Sequence, residues 1–257
     1  MSSLDEQLIE ASKTGDLTKV KELIENGADI HAENDWALRY SAHCGHLEVV
    51  RLLLENGADI HAQDDLALRW SAHYNHLKVV RLLLENGADV HAQNDHALHW
   101  SAYWGHLEVV RLLLENGADV HAENDWALCS SAHNGHLEVV RLLLENGADV
   151  HADDDYVLIW SATYGHLDVV KYLVENGVNQ KMLFDKWDNK KIAKLFLGDE
   201  YCSPNKRHTN ELCSEAFKLP EKDDWYIVWE DDSITIFENV HLASVEPELI
   251  KGVYIQC

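Results

Sequence analysis

The sequence predicts an all-α solenoid of about six helix–turn–helix repeats over residues 1–181, followed by a small α+β region over residues 182–257. Three observations carry that prediction. First, ENGAD recurs with its glycine at Gly27, Gly57, Gly87, Gly117 and Gly147, an interval of 30 residues, and a degenerate ENGV follows at Gly177. Second, the string HLEVVRLLLENGADVHA stands at His106 and again at His136. Third, the repeat stops near residue 181, and alternating apolar runs such as WYIVW and ITIF take over. A fixed period of this kind belongs to units that bury their apolar faces only against their neighbours.

Each unit can be justified element by element. From Leu47 the run LEVVRLLLENG places Leu47, Val50, Leu53 and Leu54 on one stripe, the 3.6-residue period of a core-facing helix. Gly57 follows where a left-handed residue should end that helix. WALRYSAHC reads as a shorter helix with Asp35 as its N-cap and Gly45 closing it. Ala37, Ser41 and Ala42 are small enough to let the two helices approach closely. The polar ADIHAEND between units suits a protruding turn.

The units span residues 2–31, 32–61, 62–91, 92–121, 122–151 and 152–181. The first is more polar than the rest, as expected of a solvent-facing capping repeat, and 32–181 are five full repeats. The last loses GAD to GVN, so residues 182–257 are expected to act as a cap, or as an effector or docking domain. There FDKWDNKKIAKLFLGD reads as an amphipathic helix. DWYIVWEDDSITIFENV reads as two strands around the turn Glu230–Ser233, and IKGVYIQC as a third.

The pattern GH-LEVV-RLLLENGAD-V resembles an ankyrin repeat, over residues 2 to about 181, roughly 70% of the chain. Two departures stand out. The interval is three residues shorter than the usual 33. WALR, LALR, HALH, WALC and YVLI replace the T-P-L-H helix start, and Pro204, Pro220 and Pro247 all lie beyond the array. This loop-shortened variety is similar to the ankyrin arrays of giant, mimivirus-like DNA viruses that infect amoebae. The resemblance implies a viral source, with a bacterial or designed origin as the alternatives.

Composition excludes several functions. Against 45 acidic residues stand 21 basic ones, a net charge of −24, which is the wrong sign for gripping phosphates, so no direct nucleic-acid contact is expected. No apolar run approaches the ~20 residues of a membrane helix, and MSSLDEQLIEASKTGD has no secretory pattern. Five cysteines without framework spacing fit a reduced, cytoplasmic protein, here expected to be monomeric.

Nothing in the chain asks for catalysis or a cofactor. No P-loop, G-x-G-x-x-G, H-E-x-x-H or G-x-S-x-G is present. His46-Leu47-Glu48 imitates the H-x-E of zinc deaminases, but it recurs on the repeat scaffold and no P-C-x-x-C follows. Ten of the 17 histidines fall in two columns, His31 to His151 and His46 to His166. Neighbours in a column stand one helix-packing distance apart, ~8–10 Å, too far to share a metal bound at ~2 Å. Hydrogen bonds that knit adjacent loops are expected instead. Cys202, His208 and Cys213 are a weak zinc candidate that lacks a fourth ligand unless the fold brings up His241 or Cys257. Asp223, Asp224, Glu230, Asp231 and Asp232 are an acidic cluster, read as a solvated hairpin tip rather than a cation site.

The informative residues are those that differ between copies. Helix-two columns are nearly frozen, whereas Trp36, Leu66, His96, Trp126 and Tyr156 form a variable column, as do Arg39, Arg69, His99, Cys129 and Ile159. Tyr40, Trp70, Trp100 and Trp160 stand where ankyrin repeats carry a core leucine, so they are expected to wedge between repeats. Column 36 and the pairs at 43/44 align, through the resemblance, with the concave partner-facing side. The expected partner-binding set is therefore Trp36, His43, His73, Tyr74, His96, Tyr103, Trp104, Trp126, Tyr156 and Tyr164. The array carries 30 acidic and 12 basic residues, a net −18, which favours a basic protein partner. The expected function is non-catalytic protein binding, in a viral setting as a modulator or inhibitor of a host protein. The alternatives are an adaptor docked through residues 182–257, or a small C-terminal enzyme targeted by the array.

Overall fold

The computed structural model describes residues 3–178 and three strand segments, 213–218, 225–229 and 234–237. The chain divides into two compact units, Met1–Val169 and Val170–Cys257. The first unit begins with α1 (Ser3–Thr14) and α2 (Leu17–Glu25), and continues in pairs 30 residues apart. These are α3 (Ala32–His43) with α4 (Leu47–Glu55), α5 (Ala62–His73) with α6 (Leu77–Glu85), and α7 (Ala92–Tyr103) with α8 (Leu107–Glu115). Then come α9 (Ala122–His133) with α10 (Leu137–Glu145), and α11 (Ala152–Thr163); α12 (Leu167–Glu175) contains the boundary between the units. From α1 to α11, each odd helix packs on the next odd helix, and from α2 to α10 each even helix on the next even one, in two layers.

One leucine per helix is fully buried at intervals of 15 residues, from Leu8 and Leu23 to Leu143 and Leu158. Each such burial is worth ~1.5–3 kcal/mol. Ala37, Ser41 and Ala42 are buried beside them, and the Ser41 hydroxyl donates to the Leu38 carbonyl at 2.9 Å, so its burial leaves no unsatisfied donor. The stripe on α4 is turned from the predicted one. Val49, Val50 and Leu53 are buried, while Leu47 and Leu54 are only half-buried. An even helix is enclosed by its odd partner and by even helices on either side, so its buried face is broader than a single stripe and displaced from it.

The entry to the odd helices departs furthest from expectation, because a left-handed kink falls within the spans of α3, α5, α7 and α9. Glu33, Asn34 and Asp35 have φ of +54°, +55° and +56°, a left-handed turn that recurs at residues 63–65, 93–95 and 123–125. L-residues adopt this region at a cost of roughly 1–2 kcal/mol each. Asp35 is consequently not an N-cap of its own helix. Its buried carboxylate accepts the Asp59 N–H of the next repeat at 2.7 Å and the His31 Nδ1–H at 3.1 Å. Asp65, Asp95 and Asp125 accept in the same way, and Asp5 of α1 accepts the Asp29 N–H at 3.0 Å, so among the described residues a carboxylate ladder ties each repeat to the next.

The two histidine columns are used differently. Carboxylates and carbonyls can only accept, so His31, His61, His91 and His121 donate from Nδ1 to Asp35, Asp65, Asp95 and Asp125 within their own loops. His46, His76, His106, His136 and His166 donate from Nε2 to a carbonyl of the preceding repeat, at 2.9–3.0 Å. This second column knits repeats directly, whereas His31, His61, His91 and His121 bond within their own loops. Asp16 stands 30 residues before His46 and instead caps α2, accepting the Lys19 N–H at 3.0 Å. Gly105, at φ +74°, lies beneath the His136 ring, where a Cβ would meet Nδ1 at 2.5 Å. His106→Ala is expected to lower stability by about 1 kcal/mol through its lost bond to the His73 carbonyl, read by urea unfolding. An unchanged midpoint would remove the histidines from the account of cohesion.

In the second unit β1 (Cys213–Lys218), β2 (Trp225–Trp229) and β3 (Ile234–Phe237) form an antiparallel sheet in the order β1-β2-β3. The β2–β3 hairpin is the one predicted, with Trp225 opposite Phe237 and Val228 opposite Ile234. β1 was not anticipated; it pairs with β2 through a register irregularity between Cys213 and Glu215. The predicted helix at 184–199, the strand at 250–257, the acidic cluster and the Cys202/His208/Cys213 candidate, apart from the backbone of Cys213, lie outside the described residues.

Candidate partner-binding face

Each odd helix advances ~100° per residue, so positions 36, 40 and 43 fall on one face while Leu38 turns to the core. The copies therefore place their variable aromatics side by side along the odd-helix layer. Trp36 lies tilted against Tyr40 at 4.9 Å between ring centroids, and Tyr40 meets Trp70 at 6.0 Å. His43 packs against Trp70 at 5.2 Å and Tyr74 at 4.3 Å; His73 does the same with Trp100 at 4.8 Å and Trp104 at 5.6 Å. Trp100 touches Tyr103 at 5.9 Å, and His99 meets the edge of Trp126 at 5.4 Å. A separate group begins at His133, which contacts Trp160 at 5.2 Å and Tyr164 at 4.2 Å.

The predicted site residues divide by exposure. Tyr74 (46%), Trp104 (49%), Trp126 (51%), Tyr156 (37%) and Tyr164 (53%) are exposed. Trp36, His43, His73, His96 and Tyr103 are half-buried. His96 is engaged internally, its Nε2 accepting the Trp100 indole N–H at 2.7 Å. The expectation that Tyr40, Trp70, Trp100 and Trp160 replace a core leucine is corrected. The core leucine sits two residues earlier, at Leu38, Leu68, Leu98 and Leu158, whereas Tyr40, Trp70 and Trp100 are half-buried and Trp160 is exposed. The wedge itself stands for Trp70 and Trp100, which pack on rings of the preceding repeat.

Between the two aromatic groups lies a groove of about 740 Å³, formed among others by His99, Trp100, Trp126, Cys129, Ser130 and Trp160. It opens where the tyrosine–tryptophan column carries Ser130. A serine in one repeat does not by itself predict a hole, because only the stacking of repeats sets two large rings on either side of the small residue.

Burial makes His43, His73, His96 and His99 poor bases. His99 is held down to about 4, mainly by desolvation and then by His96, with Glu123 opposing. His73 and His96 are also lowered by desolvation first, then by neighbouring charge from His106 and from Arg69 respectively. His43, His106 and His136 shift the same way, again chiefly through burial. Unfolding restores the ordinary value of ~6.5, so below that pH the unfolded chain binds more protons than the folded one. Stability is therefore expected to fall as pH drops from about 6.5 towards 5, before most carboxylates titrate. Melting temperatures across that window measure it; His99→Gln should flatten the slope, and a parent whose melting temperature is level would contradict the argument.

The ankyrin-repeat family pattern, described as "Ankyrin repeats (3 copies)", matches over residues 6–64, 64–124, 98–185 and 128–208. The chain belongs to the ankyrin-repeat family. Ankyrin repeats generally mediate protein–protein interaction, and proteins built from them are typically non-catalytic scaffolds. No match was found among curated proteins. Among the described residues, no helix is long and apolar enough to cross a membrane.

Proposed function

We propose that this ankyrin-repeat chain binds a basic protein partner through the aromatic face of its odd helices, as a monomer and without catalysis. The observation that carries the reading is the run of linked rings from Trp36 to Trp126, with the exposed Tyr156, Trp160 and Tyr164 in a second group beyond the groove. Scaffold cohesion is already supplied by the buried leucines and the aspartate and histidine ladders. Exposed tryptophan and tyrosine are not needed for it, and these residues dominate interface hot spots. The net charge of −18 over residues 2–181 supports a basic partner, whose approach it would accelerate.

The 30-residue interval and its resemblance to giant-virus arrays support a role in the host cytoplasm, as a viral modulator or inhibitor of a host protein. Affinity purification with the full chain from an amoebal lysate tests the reading. The captured protein is expected to be basic, and its binding to weaken as salt rises from about 50 to about 300 mM through slower association. Capture of an acidic partner, or binding indifferent to salt, would overturn the electrostatic part of the proposal.

A further inference from the structure

Repeats two and five contain the same heptapeptide, AENDWAL, at residues 32–38 and 122–128, and then diverge: Arg39 follows the first and Cys129 the second. In the earlier copy the Arg39 guanidinium closes the left-handed turn. Its Nε donates to the Asn34 carbonyl at 2.8 Å and its Nη2 to the Glu33 carbonyl at 2.6 Å, while its Cζ lies 4.5 Å from the Trp36 ring centroid. Arg69 repeats the two bonds, to Asp64 and Gln63, at 2.9 and 2.7 Å. The arrangement is thus a guanidinium seat made of two adjacent carbonyls and, at Trp36, an indole face.

The later copy keeps the seat. Glu123, Asn124 and Asp125 have φ of +51°, +57° and +56°, matching residues 33–35. Trp126 occupies the place of Trp36 and is 51% exposed, where Trp36, beneath its arginine, is half-buried. Glu123, Asn124, Trp126 and Cys129 all line the 740 Å³ groove. We propose that this groove receives an arginine side chain of the partner, its guanidinium donating to the Glu123 and Asn124 carbonyls and lying on Trp126.

The proposal deepens the basic-partner reading and rests on it. A planar guanidinium can donate twice to adjacent carbonyls and lie flat on a ring at once, whereas an ammonium is a point charge that cannot do both. The Glu123 carboxylate adds negative charge to the groove, and His99 on its wall, titrating near 4, adds no positive charge at neutral pH.

The test uses the full-length chain with fluorescent arginine and lysine oligopeptides of equal length and charge, read by anisotropy. The arginine peptide is expected to bind about tenfold tighter. Cys129→Arg, which fills the seat from within and whose side chain has a tolerated precedent in Arg39, should bring the arginine peptide down to the lysine level. Trp126→Ala should do the same without adding a charge, so the test survives if one variant folds poorly. Equal binding of the two peptides, or an arginine preference that persists in both variants, overturns the seat. If the peptides bind equally yet Tyr103→Ala/Trp104→Ala still abolishes binding, the seat fails while the aromatic-face reading stands. If neither peptide binds, both fail.

Discussion

Replacing Tyr103 and Trp104 together by alanine is expected to weaken partner binding by about a hundredfold or more while the melting temperature barely moves. Trp104 is 49% exposed and Tyr103 half-buried, and neither is a core residue. They lie midway along the ladder, with Tyr103 against Trp104 at 5.1 Å and His73 against Trp104 at 5.6 Å. Central interface aromatics each cost ~2 kcal/mol or more on truncation, and a hundredfold loss corresponds to ~3 kcal/mol. The bond from His136 to the Tyr103 backbone carbonyl, at 3.0 Å, does not need the side chain, so cohesion should survive. Isothermal titration with the captured partner, alongside thermal melts, decides the matter. A double variant that binds normally but unfolds early would make these rings structural and move the interface elsewhere.

Asp95→Ala is expected to cost stability rather than binding, by about 2–3 kcal/mol, since hydrogen bonds to a charged group and the orphaned donor both count. Asp95 is 5% exposed and accepts the Asp119 N–H at 2.8 Å and the His91 Nδ1–H at 3.2 Å. Removing it leaves the N–H of the next turn without its acceptor and releases a left-handed turn that is strained to begin with. Asp95→Asn keeps an acceptor for Asp119 but not the charge, and should lose roughly half as much. Urea unfolding of the two variants measures both effects. If Asp95→Ala unfolds at the parent midpoint, the ladder is geometry without energy.

Much of this was legible in the chain itself. A 30-residue period, apolar residues at helical spacing, and glycine at the end of each second helix were enough for the repeat unit, because each is a local constraint that every copy must meet. The alternation in WYIVW and ITIF likewise located a hairpin. Column comparison marked the odd-helix aromatics, since a scaffold demand acts alike on all internal copies and these positions differ.

What escaped the sequence depends on neighbours in space. Asp35 reads as an N-cap by local rules, yet its carboxylate serves Asp59, 24 residues away, since the turn before the helix is left-handed and aims it at the next repeat. Whether Trp100 fills the core or lies half-buried against the preceding repeat turns on two residues of helical phase relative to Leu98, which only packing decides. The groove is the clearest case. Ser130 is an unremarkable residue in its own repeat; it becomes a cavity only because stacking sets Trp100 on one side of it and Trp160 on the other. Local propensity and period determined that this chain is a repeat array and which columns vary. Only the stacking of one repeat on the next decided which polar groups meet and where the surface opens, because those contacts join residues that no single unit contains.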